Sequence, residues 1–157
     1  MLKAGDRAPD FKLQNQDGEW KTLADLLKGG PILLAFYPGD FTPVCTRQLC
    51  GYQSAFEDFS GNGIRVVGIS PDTVESHRRF REKYKLQFEL LADPGKDAFR
   101  EYGVISKLLF GRANRGVFII DSNAKIAYER VEAVSLTHRK APELLDAIRQ
   151  LGLTPNA

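Results

Sequence analysis

The order of apolar runs along this 157-residue chain predicts an α/β protein with a central mixed β-sheet flanked by helices. Three observations carry that prediction. Short apolar runs at 32–37, 64–70 and 89–93 have the length and composition of buried strands. Segments with apolar residues spaced three and four apart separate them, as helices do. Two further apolar runs, 116–121 and 126–131, flank Ser122-Asn-Ala-Lys125 as a hairpin and precede a last amphipathic stretch.

Each element has its own local reason. Asp10-Phe-Lys-Leu-Gln and Glu19-Trp-Lys-Thr alternate around Asn15-Gln-Asp-Gly18, which predicts an N-terminal hairpin. Leu23 to Leu27 reads as a short helix ended by Gly29-Gly30. Ile32-Leu-Leu-Ala-Phe-Tyr37 is a strand stopped by Pro38 and Gly39. Thr42 stands at an N-cap with Pro43 at the first helical position. Leu49, Tyr52, Phe56 and Phe59 then mark the buried face of one helix. After Gly61-Asn-Gly63 comes the strand ending at Ser70, and then a helix to about Tyr84, with Asp72 and Glu75 spaced as a capping box. Glu89 to Asp93 is a strand, Pro94-Gly95 turns into a helix ending near Gly103, and 104–114 reads as an irregular loop. Thr137 begins the final helix, with Leu144, Leu145, Ile148 and Leu151 facing inward.

Length and composition limit the function classes. One domain over 1–157 is expected, and the chain is long enough to bury a sizeable core. A formal charge of +2 gives no reason to expect nucleic acid or an acidic membrane surface as partner. Arg78, Arg79, Arg81 and Lys83 read as a solvated helix face. No stretch reaches the ~18 apolar residues of a membrane span, and the first residues lack a leader's apolar core, so cytoplasmic residence is expected. Two cysteines in a reducing compartment point to chemistry rather than to a structural bridge. No metal is expected: C-x4-C supplies two ligands, and His77 and His138 have no ligand spacing.

Both cysteines fall in one stretch, Phe36-Tyr-Pro-Gly-Asp-Phe-Thr-Pro-Val-Cys-Thr-Arg-Gln-Leu-Cys50. With Thr42 as N-cap, Cys45 is the third helical residue, among unpaired N–H groups at the positive end of the helix dipole. That environment favours thiolate, the reactive form, although by position alone Cys45 could equally be a small buried apolar residue. A free thiol with a pKa of about 8.5 needs roughly 2 kcal/mol of help to ionise at neutral pH. An exposed helix end gives on the order of 0.3–1 kcal/mol, whereas a cation at ~4 Å gives roughly 4 kcal/mol at an effective dielectric of about 20. A reactive Cys45 therefore calls for an arginine. On an intact helix Cys45 and Cys50 stand roughly 8.6 Å apart at Cα, beyond the ~7 Å limit of a disulfide. Either they never pair, or pairing requires local unwinding.

Pro38-Gly-Asp-Phe-Thr42-Pro-Val-Cys45 resembles the peroxiredoxin pattern P-x-x-x-T-x-x-C. The second cysteine five residues on is similar to the bacterioferritin-comigratory-protein, or peroxiredoxin Q, subfamily. Gly5-Asp-Arg-Ala-Pro-Asp-Phe11, Val67-Gly-Ile-Ser-Pro-Asp72, Ser76-His77 and Arg115-Gly-Val-Phe-Ile-Ile-Asp121 extend the likeness over most of the chain. The resemblance implies a thioredoxin-like fold and an atypical two-cysteine thiol peroxidase acting on hydrogen peroxide and organic hydroperoxides. It makes Cys45 the peroxidatic nucleophile and Cys50 the resolving thiol of an intramolecular disulfide. It has Thr42 contact the sulfur and peroxide, Pro38 shield the pocket, and Arg115 hold the thiolate. Arg47, Arg112 and Arg7 are competing cations by sequence. Reduction by thioredoxin or a similar dithiol protein, no cofactor, and a monomeric or dimeric state follow on the same ground.

His77 on a polar helix reads as structural. Gln48 stands where many peroxiredoxins carry glutamate and the Q subfamily glutamine, while Val117 departs from a frequent threonine of that subfamily. Two rival functions stand beside this one: a peroxide-sensing or chaperone-like switch, and a protein disulfide reductase, the latter disfavoured by the missing C-x-x-C.

Overall fold

The computed structural model describes residues 2–106, 110–132 and 138–152. In chain order the elements are β1 Lys12–Gln14, β2 Trp20–Thr22, α1 Leu23–Leu27, β3 Ile32–Phe36, α2 Pro43–Ser54, α3 Phe56–Gly61, β4 Arg65–Ser70, α4 Val74–Tyr84, β5 Glu89–Ala92, α5 Asp97–Glu101, β6 Ile105–Ser106, β7 Arg112–Ala113, β8 Gly116–Ile120, β9 Ile126–Val131 and α6 Ala141–Leu151. The main sheet runs β2-β1-β5-β4-β3-β8-β9, and β6 pairs with β7 in a separate ribbon. β3, β4 and β5 are parallel, while β1, β2, β8 and β9 join antiparallel, so the sheet is mixed.

β3 shows why its sequence is a continuous apolar run. Leu33, Ala35 and Tyr37 enter one core with residues of α2, α3, α4 and α6. Ile32, Leu34 and Phe36 enter the other, with α1 and α5. Successive side chains point to opposite faces, so a strand covered on both must be apolar at every position. Phe36 packs edge-on against Phe99 at 4.9 Å and Phe118 at 5.7 Å. Burying such a side chain contributes about 1.5–3 kcal/mol.

This topology places the site. The carboxyl ends of β3, β4 and β5 share one edge, and the chain leaves β3 there towards α2. β8 runs the other way, with Gly116 opposite Phe36, so residue 115 arrives at that same edge just before β8 begins.

Several local expectations change. The helix expected through Phe59 is broken at Ala55 (φ −99°, ψ 14°) into α2 and α3. Ser54 Oγ donates back to the Cys50 carbonyl at 3.1 Å, a contact that bends helices. Asp72 does not cap α4; Thr73 does, its hydroxyl accepting from Ser76 N at 3.1 Å, because Asp72 is engaged elsewhere. The stretch read as an irregular loop contains the β6–β7 ribbon. α6 starts at Ala141 after Lys140; Thr137 lies outside the described residues, and Leu151 is 40% exposed rather than facing in. The N-terminal hairpin forms as expected, with Asn15 Oδ1 accepting from Asp17 N and Glu19 N across its turn. No helix among the described residues is long and apolar enough to cross a membrane.

Candidate active site

The chain turns from β3 into α2 over Tyr37 to Thr42. Phe41 takes a left-handed conformation (φ 64°), which reverses the backbone sharply. Its ring rests edge-on against Phe80 at 5.1 Å, offsetting the strain of a bulky residue there. Thr42 is extended and Pro43 opens the helix, so Cys45 is the third helical residue and is fully buried. Thr42 occupies the N-cap position but makes no side-chain cap, contrary to the sequence expectation. Its hydroxyl donates instead to the Gly39 carbonyl at 2.9 Å. The first-turn N–H groups therefore keep their capacity to meet an anion near Cys45.

Arg115 is 3% exposed, and its Nη1 donates to Gln48 Oε1 at 2.8 Å. Gln48 lies one turn beyond Cys45 on α2, so this bond brings the guanidinium to the peptide turn that carries the sulfur. Gln48 is neutral, so the contact orients the charge without cancelling it. Gln48 Nε2 donates to the Tyr52 hydroxyl at 3.0 Å, and Tyr52 donates to the Arg139 carbonyl at 2.7 Å. Burial holds the Tyr52 phenol well above its ordinary range, so it stays a neutral relay. Arg47, Arg112 and Arg7 are exposed, whereas Arg115 is buried.

A cleft of about 390 Å³ borders this relay, lined by Arg47, Gln48, Tyr52, His138 and Lys140 among others. Partial burial pushes the His138 imidazole down, and the charges of Arg115, Lys140 and Arg47 push it further. Cys50 is partly buried on the same intact helix, and both cysteines are free. Its partial burial pushes the Cys50 thiol up, so it holds its proton where it stands.

The fold joins Cys45, Gln48 and Arg115 through one helix turn, with Pro38 and Thr42 in the loop that leads into it. Sequence reasoning missed three members of this region. Tyr52 reads as a core residue because its hydroxyl's partners are distant in sequence. Tyr37 and Asp40 read as strand end and turn residue, yet Tyr37 OH donates to Asp40 Oδ1 at 2.6 Å in the interior. A carboxylate set between a buried strand and the helix that carries both cysteines was the available signal. His77, read as structural, is fully buried and bonded to Asp40. The potential ligand atoms of Asp40, Asp72 and His77 lie within 4.8 Å of one another, but each is taken up by hydrogen bonds.

The AhpC/TSA family matches residues 4–129. A putative peroxiredoxin bcp of Coxiella burnetii is 39% identical over 131 residues, covering 80% of this chain and 86% of that protein. The chloroplastic peroxiredoxin Q of Oryza sativa subsp. japonica is 40% identical over 127 residues, covering 81% of this chain. The chain spans 58% of that relative's length. Among solved structures, the peroxidoxin BcpB of Mycobacterium tuberculosis superposes with a TM-score of 0.84 at 30% identity, covering 96% of this chain and 97% of that one. The bacterioferritin comigratory protein of Xanthomonas campestris has the same fold at a TM-score of 0.84 and 24% identity. The mixed sheet with helices on both faces is thus the thioredoxin-like fold of these proteins. By the family match across most of its length and by these relatives, the chain belongs to the AhpC/TSA family as a peroxiredoxin of the Q and bcp kind.

Proposed function

We propose that the protein is a thiol peroxidase that reduces hydrogen peroxide and organic hydroperoxides through Cys45. The observation that carries this reading is the placement of a buried cysteine in an uncapped helix first turn, one turn from a residue that fixes a buried arginine. The Cys45 thiolate attacks one peroxide oxygen and the O–O bond breaks. Sulfur is oxidised to a sulfenic acid, and the leaving oxygen takes a proton to depart as water or alcohol. Arg115 stabilises charge as it moves from sulfur to the leaving oxygen. Because the Thr42 hydroxyl spends its proton on Gly39, it meets the peroxide as an acceptor, receiving the O–H and aiming the oxygens at sulfur. Pro38, at the carboxyl end of β3, shields the reacting atoms from water.

Cys50 then attacks the sulfenic sulfur, giving a disulfide and one water. The partners start on one intact helix, so α2 must unwind between them, which breaks the Gln48 bonds to Arg115 and Tyr52. Both sulfurs belong to one chain, so the cycle needs no second subunit. A dithiol protein of the thioredoxin type returns the disulfide to two thiols. Turnover of H2O2 coupled to thioredoxin, thioredoxin reductase and NADPH tests the whole cycle. Sustained NADPH oxidation that disappears in Cys45→Ser supports it; a single oxidation followed by a stall points to a peroxide-sensing switch.

A further inference from the structure

One peptide plane links the Thr42 hydroxyl to groups outside the reacting set. The Gly39–Asp40 peptide offers its carbonyl to Thr42 Oγ1 at 2.9 Å and its N–H to Asp72 Oδ2 at 2.7 Å. A peptide is planar, so the oxygen that fixes the Thr42 proton cannot turn unless the bond to Asp72 turns with it. Asp72 Oδ2 is itself set by Ser70 Oγ at 2.6 Å, at the end of β4.

The Asp40 side chain anchors the same plane from its other side. Oδ1 accepts from Tyr37 OH at 2.6 Å, and Oδ2 from Ser76 Oγ at 2.8 Å. His77 Nδ1 lies 2.7 Å from that second oxygen, and both side chains are fully buried. His77 Nε2 faces the Leu91 carbonyl of β5 at 2.9 Å, and a carbonyl only accepts, so Nε2 carries a proton. The 2.7 Å contact of Nδ1 with Asp40 Oδ2 is a second hydrogen bond of the same ring. The loop is thereby tied to β3, β4, α4 and β5 at once.

We propose that Asp72, Asp40 and His77 are positioning residues for peroxide reduction. Asp72 and the Asp40–His77 pair fix the Gly39–Asp40 plane, and this plane aims the Thr42 hydroxyl as the acceptor of the peroxide proton. The proposal rests on the thiol-peroxidase reading above. None of the three touches the peroxide, and no bond to them forms or breaks in the reaction.

The test compares two reactions of the same sulfur in the full chain: oxidation by H2O2, which needs Thr42 aimed, and alkylation by iodoacetamide, which does not. Asp72, half-buried in the turn between β4 and α4, is the substitution of choice. Asp72→Ala should lower the H2O2 rate on the order of tenfold relative to the iodoacetamide rate, and Asp72→Asn, which keeps an accepting oxygen, should restore the ratio. In a Thr42→Val background Asp72→Ala should cost nothing further, because the group it aims is gone. His77→Ala should shift the ratio in the same direction, and Ser76→Ala, which removes one of Asp40's donors, should do so more weakly. An unchanged ratio in Asp72→Ala, equal loss of both reactions, or independent losses in the double variant would overturn the proposal. If the unsubstituted protein reacts with H2O2 no faster than free cysteine, the peroxidase reading fails and takes this one with it.

Discussion

Removing the Arg115 guanidinium should slow the reaction of Cys45 with peroxide. Arg115 Nη1 donates to Gln48 Oε1 at 2.8 Å, and Gln48 stands one turn beyond Cys45 on α2. In peroxide reduction charge moves from the sulfur to the departing oxygen, and losing one preorganised donor to such a developing charge costs on the order of 10²–10³ in rate, about 3–4 kcal/mol. Water entering the vacated space makes good part of the loss, so the second-order rate of Arg115→Ala with H2O2 at neutral pH should fall on the order of 10²-fold. Arg115→Lys keeps a charge without the planar fork and should fall between Arg115→Ala and the unsubstituted protein. Stopped-flow oxidation at fixed pH reads the rate directly. Denaturant unfolding separates the stability cost of leaving Gln48 Oε1 unpaired, about 1–3 kcal/mol. A rate unchanged in Arg115→Ala would mean that another group stabilises the reacting charge.

Cys50→Ser should leave the first reaction with peroxide fast and abolish thioredoxin-driven cycling; unimpaired cycling would show that another thiol resolves. Because burial pushes the Cys50 thiol up, it is protonated at neutral pH, and disulfide formation should accelerate as pH rises towards the ordinary thiol range, about 8.5. A plateau reached below neutrality would contradict that. A Cβ at Gly68 would lie 2.8 Å from Leu90 Cδ2 and 3.2 Å from Tyr37 Cε1. Gly68→Ala should therefore cost about 1–3 kcal/mol of stability. It should also slow peroxide oxidation, since Tyr37 holds Asp40; full activity in a destabilised variant would separate the two.

Most of the sheet was legible because β3, β4, β5 and β8 carry their burial in the sequence as short apolar runs. Arg115 is expected at the site from its family pattern, and register explains where it stands: Gly116 opposite Phe36 brings the preceding residue to the edge where α2 begins. Non-local competition hid the rest. Asp72-x-x-Glu75 satisfies a capping rule, but the Asp40 amide and Ser70 claim Asp72, and Thr73 caps in its place. His77 lies in a largely polar helix sequence, and only the arrival of the β5 carbonyl and Asp40 gives it a buried place. The two-residue strands β6 and β7 are too short to show a period. The break at Ala55 follows a side-chain-to-backbone bond that spacing of apolar residues does not register.

The most direct measurement is peptide mass mapping after one equivalent of H2O2, with a sulfenic-acid trap, on the unsubstituted chain and on Cys50→Ser. The expected result is a Cys45–Cys50 disulfide in the first and a trapped sulfenic acid at Cys45 in the second. An unmodified Cys45 in both, with the peroxide left unconsumed, would contradict a peroxidatic role for this sulfur.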